Sequence, residues 1–181
     1  MTYELPESLV VCGVERKIRT DYRAVLDICA ALSEIEATDL EKSIAALEIL
    51  YVDFDSIPYE HYVEALRQCF WFINCGENEQ QNNSAKLMDW EKDFKYIVSP
   101  VNRVIGKEIR SLKHLHWWTF ISAYYEIGDC TFAHIVRIRD KKARGEKLDK
   151  QETKWYRQNR DIVDIKTKYT KAEEEILEAW K

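Results

Sequence analysis

Leu115-His-Trp-Trp-Thr-Phe-Ile-Ser-Ala-Tyr-Tyr-Glu-Ile-Gly128 places two of the chain's six tryptophans side by side among further aromatics. Leu115, Trp118, Ile121, Ser122 and Tyr125 recur at steps of three and four, and Trp117, Phe120, Tyr124 and Ile127 form a second row beside them. A helix apolar on two faces belongs at the centre of a fold, since each aromatic ring buries roughly 150 to 250 Å². Gly128 offers the left-handed position at which such a helix ends. The stretch therefore predicts a central helix, packed into a core, with the further option that part of it stays exposed for a partner.

Towards the N terminus, Glu7 to Cys12, Gly13, and Val14 to Arg19 read as a hairpin, with Cys12-Gly13 as its tight turn. Thr20 or Asp21 can cap a helix to about Ser33 with Tyr22, Val25, Leu26, Cys29 and Leu32 inward. Thr38 and Glu41 have capping-box spacing and open a second helix to about Tyr51, with Leu40, Ile44, Leu47, Ile49 and Leu50 as its apolar residues. Pro58 suits the first turn of a third helix, Tyr59 to about Asn74, whose expected core face is Tyr62, Ala65, Leu66, Cys69, Phe70 and Ile73. Residues 76–86 are polar and aperiodic, which reads as a flexible linker between an acidic N-terminal part and a basic C-terminal part of a single domain spanning 1–181.

Beyond that linker the helical period returns at Trp90, Phe94, Ile97 and Val98, and Ser99-Pro100 predicts a kink or a junction of two helices. Past the aromatic stretch, Thr131 is expected to cap a helix with Phe132, Ile135, Val136 and Ile138 inward. Asp149 and Glu152 repeat the capping-box spacing before a last helical region towards Trp180, of which residues 162–181 are densely charged. The expected fold is mainly α, about seven helices with a short N-terminal β-hairpin.

Composition bounds the function. Apolar residues make up 46% and charged residues 33% of 181, too apolar for a disordered chain and too charged for a membrane protein. No apolar run reaches the roughly 18 residues of a membrane span, and the start lacks the basic end and apolar core of a signal peptide, so the cytoplasm is expected. Five scattered cysteines without a Cys-x-x-Cys pair read as reduced thiols. Residues 1–100 carry 19 acidic and 9 basic residues, residues 101–181 carry 13 and 18, and the two parts are expected to attract different partners or each other.

Three chemistries can be weighed against these patterns. His114, His116, Cys130 and His134 are possible zinc ligands, but no paired-ligand spacing anchors a metal, so no metal and no cofactor is expected. The five glycines form no phosphate loop, and no nucleophile signature is present, which argues against an enzyme. Arg137, Arg139, Lys141, Lys142, Arg144, Lys147 and Lys150 near Trp155 and Tyr156 resemble a nucleic-acid surface. A pI of about 5.5 and interleaved acids disfavour that use relative to an acidic protein partner.

Several of these residues also occur in a familiar order: Leu5-Pro6, Gly13, Ile18 with Thr20-Asp-Tyr-Arg23, Asp89-Trp90 through Asp93 to Tyr96-Ile97, Leu115-His-Trp-Trp-Thr-Phe120, and Ile135 with Ile138-Arg139. In these the chain, from about Leu5 to about Asp161, resembles the gene-product-fifteen family of tailed bacteriophages and prophages of Gram-positive bacteria. The specific part is the Leu-His-Trp-Trp-x-Phe block. The resemblance implies a small helical, non-enzymatic tail assembly factor of the host cytoplasm, chaperone-like, with the tape-measure protein and/or the tail-tube protein as partners and self-association as a further option. It brings no catalytic, metal or cofactor residues. Leu115, His116, Trp117, Trp118 and Phe120 transfer as signature positions, and Arg137 and Arg139 join them as candidate partner-binding residues. A structural tail component retained in the virion is the first alternative, and a nucleic-acid-binding regulator the second.

Overall fold

The computed structural model describes residues 4–77 and 86–165. Residues 78–85 of the expected linker and 166–181 of the expected C-terminal helix lie outside the described residues. Among those described, the chain forms eight α-helices and one two-stranded antiparallel sheet, a mainly helical fold with an N-terminal hairpin. They divide into two compact units, one from residues 4–77 and 113–121, the other from 86–112 and 122–165. No helix among them is long and apolar enough to cross a membrane.

In the first unit, β1 (Ser8–Val11) pairs with β2 (Val14–Lys17) from Ser8↔Lys17 to Val11↔Val14. Cys12 and Gly13 both have positive φ, +48° and +81°, the combination a two-residue turn needs to follow the twist of its strands. Alternation then turns Leu9 and Val11 into the core. Helix α1 (Tyr22–Leu32) starts at Asp21, whose carboxylate accepts the Arg23 amide. Helix α2 (Asp39–Leu50) opens with the full capping box, Thr38 and Glu41 each accepting the other's amide. Its C-terminal carbonyls are gathered by Arg19, whose Nη1 donates to Glu48, Ile49 and Tyr51 oxygens at 2.9 Å each, a cation where the helix dipole favours one. Pro58 leads through a single 3₁₀ turn, Tyr59–His61, into α3 (Tyr62–Ile73).

The buried faces coincide in part with those expected: Tyr22 and Val25 on α1 and Ala65 and Cys69 on α3 are buried as predicted, while Ile28 and Phe72 are buried in addition. Apolar residues cover so much of each helix that the pattern leaves its rotation free, and neighbouring helices decide it. On α2, Ala46, Leu47 and Leu50 go inward while Leu40 stays exposed.

In the second unit, α4 (Trp90–Ile105) is one helix containing Pro100 and closes on Gly106 at φ +75°. Helix α5 (Trp117–Tyr125) begins in the first unit, and its last turn belongs to the second. It ends before Gly128, because Glu126 and Ile127 donate three residues back, to Ala123 and Tyr124, and tighten the turn. Helix α6 (Thr131–Ala143) is capped by Cys130, whose Sγ accepts the Ala133 amide, so Thr131 is its first residue rather than its cap. The predicted box at Asp149 and Glu152 opens α7 (Lys150–Gln158), and Asn159 separates it from α8 (Arg160–Val163). Ile97, Val101, Ile109, Phe132, Ile135, Ile138 and Val163 make the core.

Candidate partner-binding site

The Leu115–Phe120 block spends its polar groups on its own unit. The Leu115 amide donates to Asp21 Oδ2 at 2.9 Å, the Leu115 carbonyl accepts from Tyr22, and the Trp117 amide donates to Thr20 O at 2.7 Å. Three hydrogen bonds made by two residues, Leu115 and Trp117, thereby fix the start of α1. His116 Nδ1 accepts the Trp118 amide at 3.1 Å, so the ring proton sits on Nε2 and is donated to Pro6 O, also 3.1 Å away. Burial lowers the His116 pKa and keeps the ring in that neutral form. Both indoles close the end of α3: Trp117 Nε1 donates to Ile73 O and Trp118 Nε1 to Phe72 O, each at 2.8 Å. Helix C-termini leave carbonyls short of intrahelical partners, and although Phe72 O also accepts the Cys75 amide, the tryptophan pair acts as a two-point C-cap. Trp117 and Phe120 are buried, the latter stacked on Tyr22 at 4.9 Å, and Trp118 is half-buried against Trp71 and Phe72.

The same unit carries an open apolar groove. Leu40, Ser43, Ile44 and Leu47 on α2 face Tyr59, Glu60, Tyr62, Val63 and Leu66 on the 3₁₀ turn and α3 across about 320 Å³. Leu40 is 58% exposed, Tyr59 73% and Val63 77%, and together they make an exposed apolar patch rather than scattered single residues. Tyr62 and Leu66, expected in the core, instead line this surface. The signal was present in the sequence: Leu40, Ile44 and Leu47 share steps of four and three, as do Tyr59, Val63 and Leu66.

One family profile, described as Bacteriophage Gp15 protein, matches residues 1–165. The chain belongs to the bacteriophage Gp15 family. It is a phage protein. No curated protein and no solved structure matches it.

In this Gp15 chain the basic run of α6 and its surroundings is largely turned on itself. Arg139 is buried: its guanidinium meets Asp93 through Nη1–Oδ2 at 2.5 Å and Nη2–Oδ1 at 2.9 Å. It also donates to the carbonyls of Val163, Ile162 and Leu87. Asp93, fully buried, additionally accepts the Asp89 amide at 2.9 Å. Lys141 pairs with Glu152 at 2.6 Å, Lys142 with Asp164 at 2.5 Å and with the Tyr156 hydroxyl and ring, and Arg144 with Asp140. Bonding to Lys141 holds the Glu152 carboxyl below the usual range. Arg137 is exposed, with Asp129 as a distant counter-ion at 3.9 Å. Phosphate binding rests on cations free to replace counterions, and these are mostly committed.

All five cysteines are free, and burial pushes Cys29 and Cys75 to about 11 and Cys69 to about 12, leaving them neutral. His114 binds Thr20 Oγ1 at 3.0 Å, while His134 packs edge-on against Trp155. Among the described residues no three metal-ligating side chains come together.

Proposed function

We propose that this chain is a non-enzymatic tail assembly factor acting as a chaperone in the host cytoplasm, covering apolar stripes of the tape-measure protein, the tail-tube protein or both during tail morphogenesis. Family membership supports the phage setting, and the α2–α3 groove is the observation that carries the chaperone reading. A chaperone for a growing polymer has to hold apolar surface and then release it. Fully burying a leucine or valine contributes about 1.5 to 3 kcal/mol. A few such side chains, set against the several kcal/mol lost on association, suit reversible binding. Most of the signature residues serve structure, while the groove offers an exposed apolar surface.

Co-expression with the tape-measure protein and, separately, with the tail-tube protein tests this reading. Solubilisation and co-purification of either bait is the expected result. A folded chain that recovers neither bait overturns it, and its presence in purified mature particles would favour a structural tail component instead.

A further inference from the structure

We propose that the α2–α3 groove is a docking site for one amphipathic helix whose apolar stripe is flanked by lysine or arginine. The inference deepens the tail-assembly reading and rests on it only for the identity of the protein supplying the helix.

The shape of the occupant follows from what the groove lacks. Its walls are α2, α3 and the 3₁₀ turn that leads into α3, with no strand among them, so an extended peptide would find no strand edge to pair with. The occupant must satisfy its own backbone, which a helix does. Small ligands need convergent polar groups to orient them. Here Ser43 Oγ already donates to Asp39 O, and of the other lining residues Glu60 and the hydroxyls of Tyr59 and Tyr62 add polar atoms to a surface that is otherwise apolar. Leu40 to Leu47 and Tyr59 to Leu66 each run about two turns, roughly 10 Å, matching anchors at i, i+3 or i+4, and i+7 of a third helix laid across the pair.

Charge selects the flanks. Residues 1–77 hold fifteen acidic and six basic residues. Four of the six are occupied: Arg16 by Asp53, Arg19 by the α2 carbonyls, Arg23 by Asp21 and Arg67 by Glu64. Glu60 lies in the groove itself. An incoming basic helix is drawn to this field, and an acidic one is repelled.

The test uses the full chain and a labelled peptide of about 18 residues, long enough to be helical when docked. It carries leucine at i, i+3, i+4 and i+7 with lysine on its flanks, and its twin has glutamate for every lysine. Fluorescence anisotropy should show saturable binding of the lysine peptide and about tenfold or weaker binding of the twin. Binding should weaken as salt shortens the Debye length from about 8 to about 3 Å. Leu40→Ser and Val63→Ser should each cost about tenfold in affinity with unchanged thermal melting, and Glu60→Lys should weaken binding and flatten its salt dependence. Equal binding of both peptides, binding indifferent to Leu40→Ser and Val63→Ser, or no binding overturns the proposal. So does a dimer, seen by sedimentation, that Val63→Ser dissociates while the peptide fails to bind, since the occupant is then a second copy. If the lysine peptide binds the groove but neither tail bait does, the docking site stands and the tail-assembly reading falls.

Discussion

The two units solve opposite problems with opposite means. The first carries a large excess of acid, yet its centre is neutral: stacked Tyr22 and Phe120, a neutral His116 and two indoles closing α3. The second draws on the basic part of the sequence, yet buries its most connected cation, Arg139, against Asp93 at the heart of its core. Net charge counted along a chain therefore misstates what each region presents. The acidic surplus remains at the surface, where it can steer a partner, while much of the basic surplus is used to hold helices together.

Breaking the ion pair should have the largest effect. Arg139→Ala leaves Asp93 buried without its counter-charge and should cost about 3 to 5 kcal/mol in urea unfolding. Faster hydrogen exchange over Trp90–Ile105 and Thr131–Ala143 should accompany it. The double replacement Asp93→Leu with Arg139→Met should recover most of that loss, because removing both charges also removes the cost of burying them. A double variant no better than Arg139→Ala would show that the bonds to Val163, Ile162 and Leu87 matter more than the charge.

Trp117→Phe keeps a buried ring but leaves the Ile73 carbonyl without its donor, an expected loss of about 1 to 3 kcal/mol. Exchange at the end of α3 should report it locally, and an unchanged α3 would mean that the indole bond is incidental. Acid sharpens the contrast further. The folded His116 pKa lies below its ordinary value, so the unfolded chain takes up the proton first, and stability falls as pH drops through the normal histidine range near about 6.5. In His116→Asn that slope should shrink, measured as urea midpoints between neutral and mildly acidic pH. The smallest effect belongs to the groove: Val63→Ser, at a 77% exposed position, should change stability by less than about 0.5 kcal/mol. A large loss there would make the groove part of the core.

Much of this fold is legible in the sequence because local chemistry writes it. Cys12-Gly13 and the boxes at Thr38/Glu41 and Asp149/Glu152 each act within a few residues and mark the element expected of them, while Pro58 opens a 3₁₀ turn and α3 begins only at Tyr62. Helix rotation is not local, which is why Ile28 and Phe72 displaced Leu26 and Phe70 from the expected faces. The Arg139–Asp93 pair escaped for a related reason: periodicity treats charge as surface. Its positions were nonetheless informative, since Asp93 sits between Trp90 and Ile97, and Arg139 follows Ile135 by four, both at core steps. The signature tryptophans were visible as a block, but their donors could be matched to Phe72 and Ile73 only once α3 was in place.

The hairpin tip has a practical consequence. Cys12 stands exposed at the turn, while the other four thiols are buried or half-buried. A maleimide dye applied briefly at neutral pH should therefore label the acidic unit at one known atom. That converts a tight turn into an attachment point for fluorescence or cross-linking reporters, without a cysteine having to be engineered in.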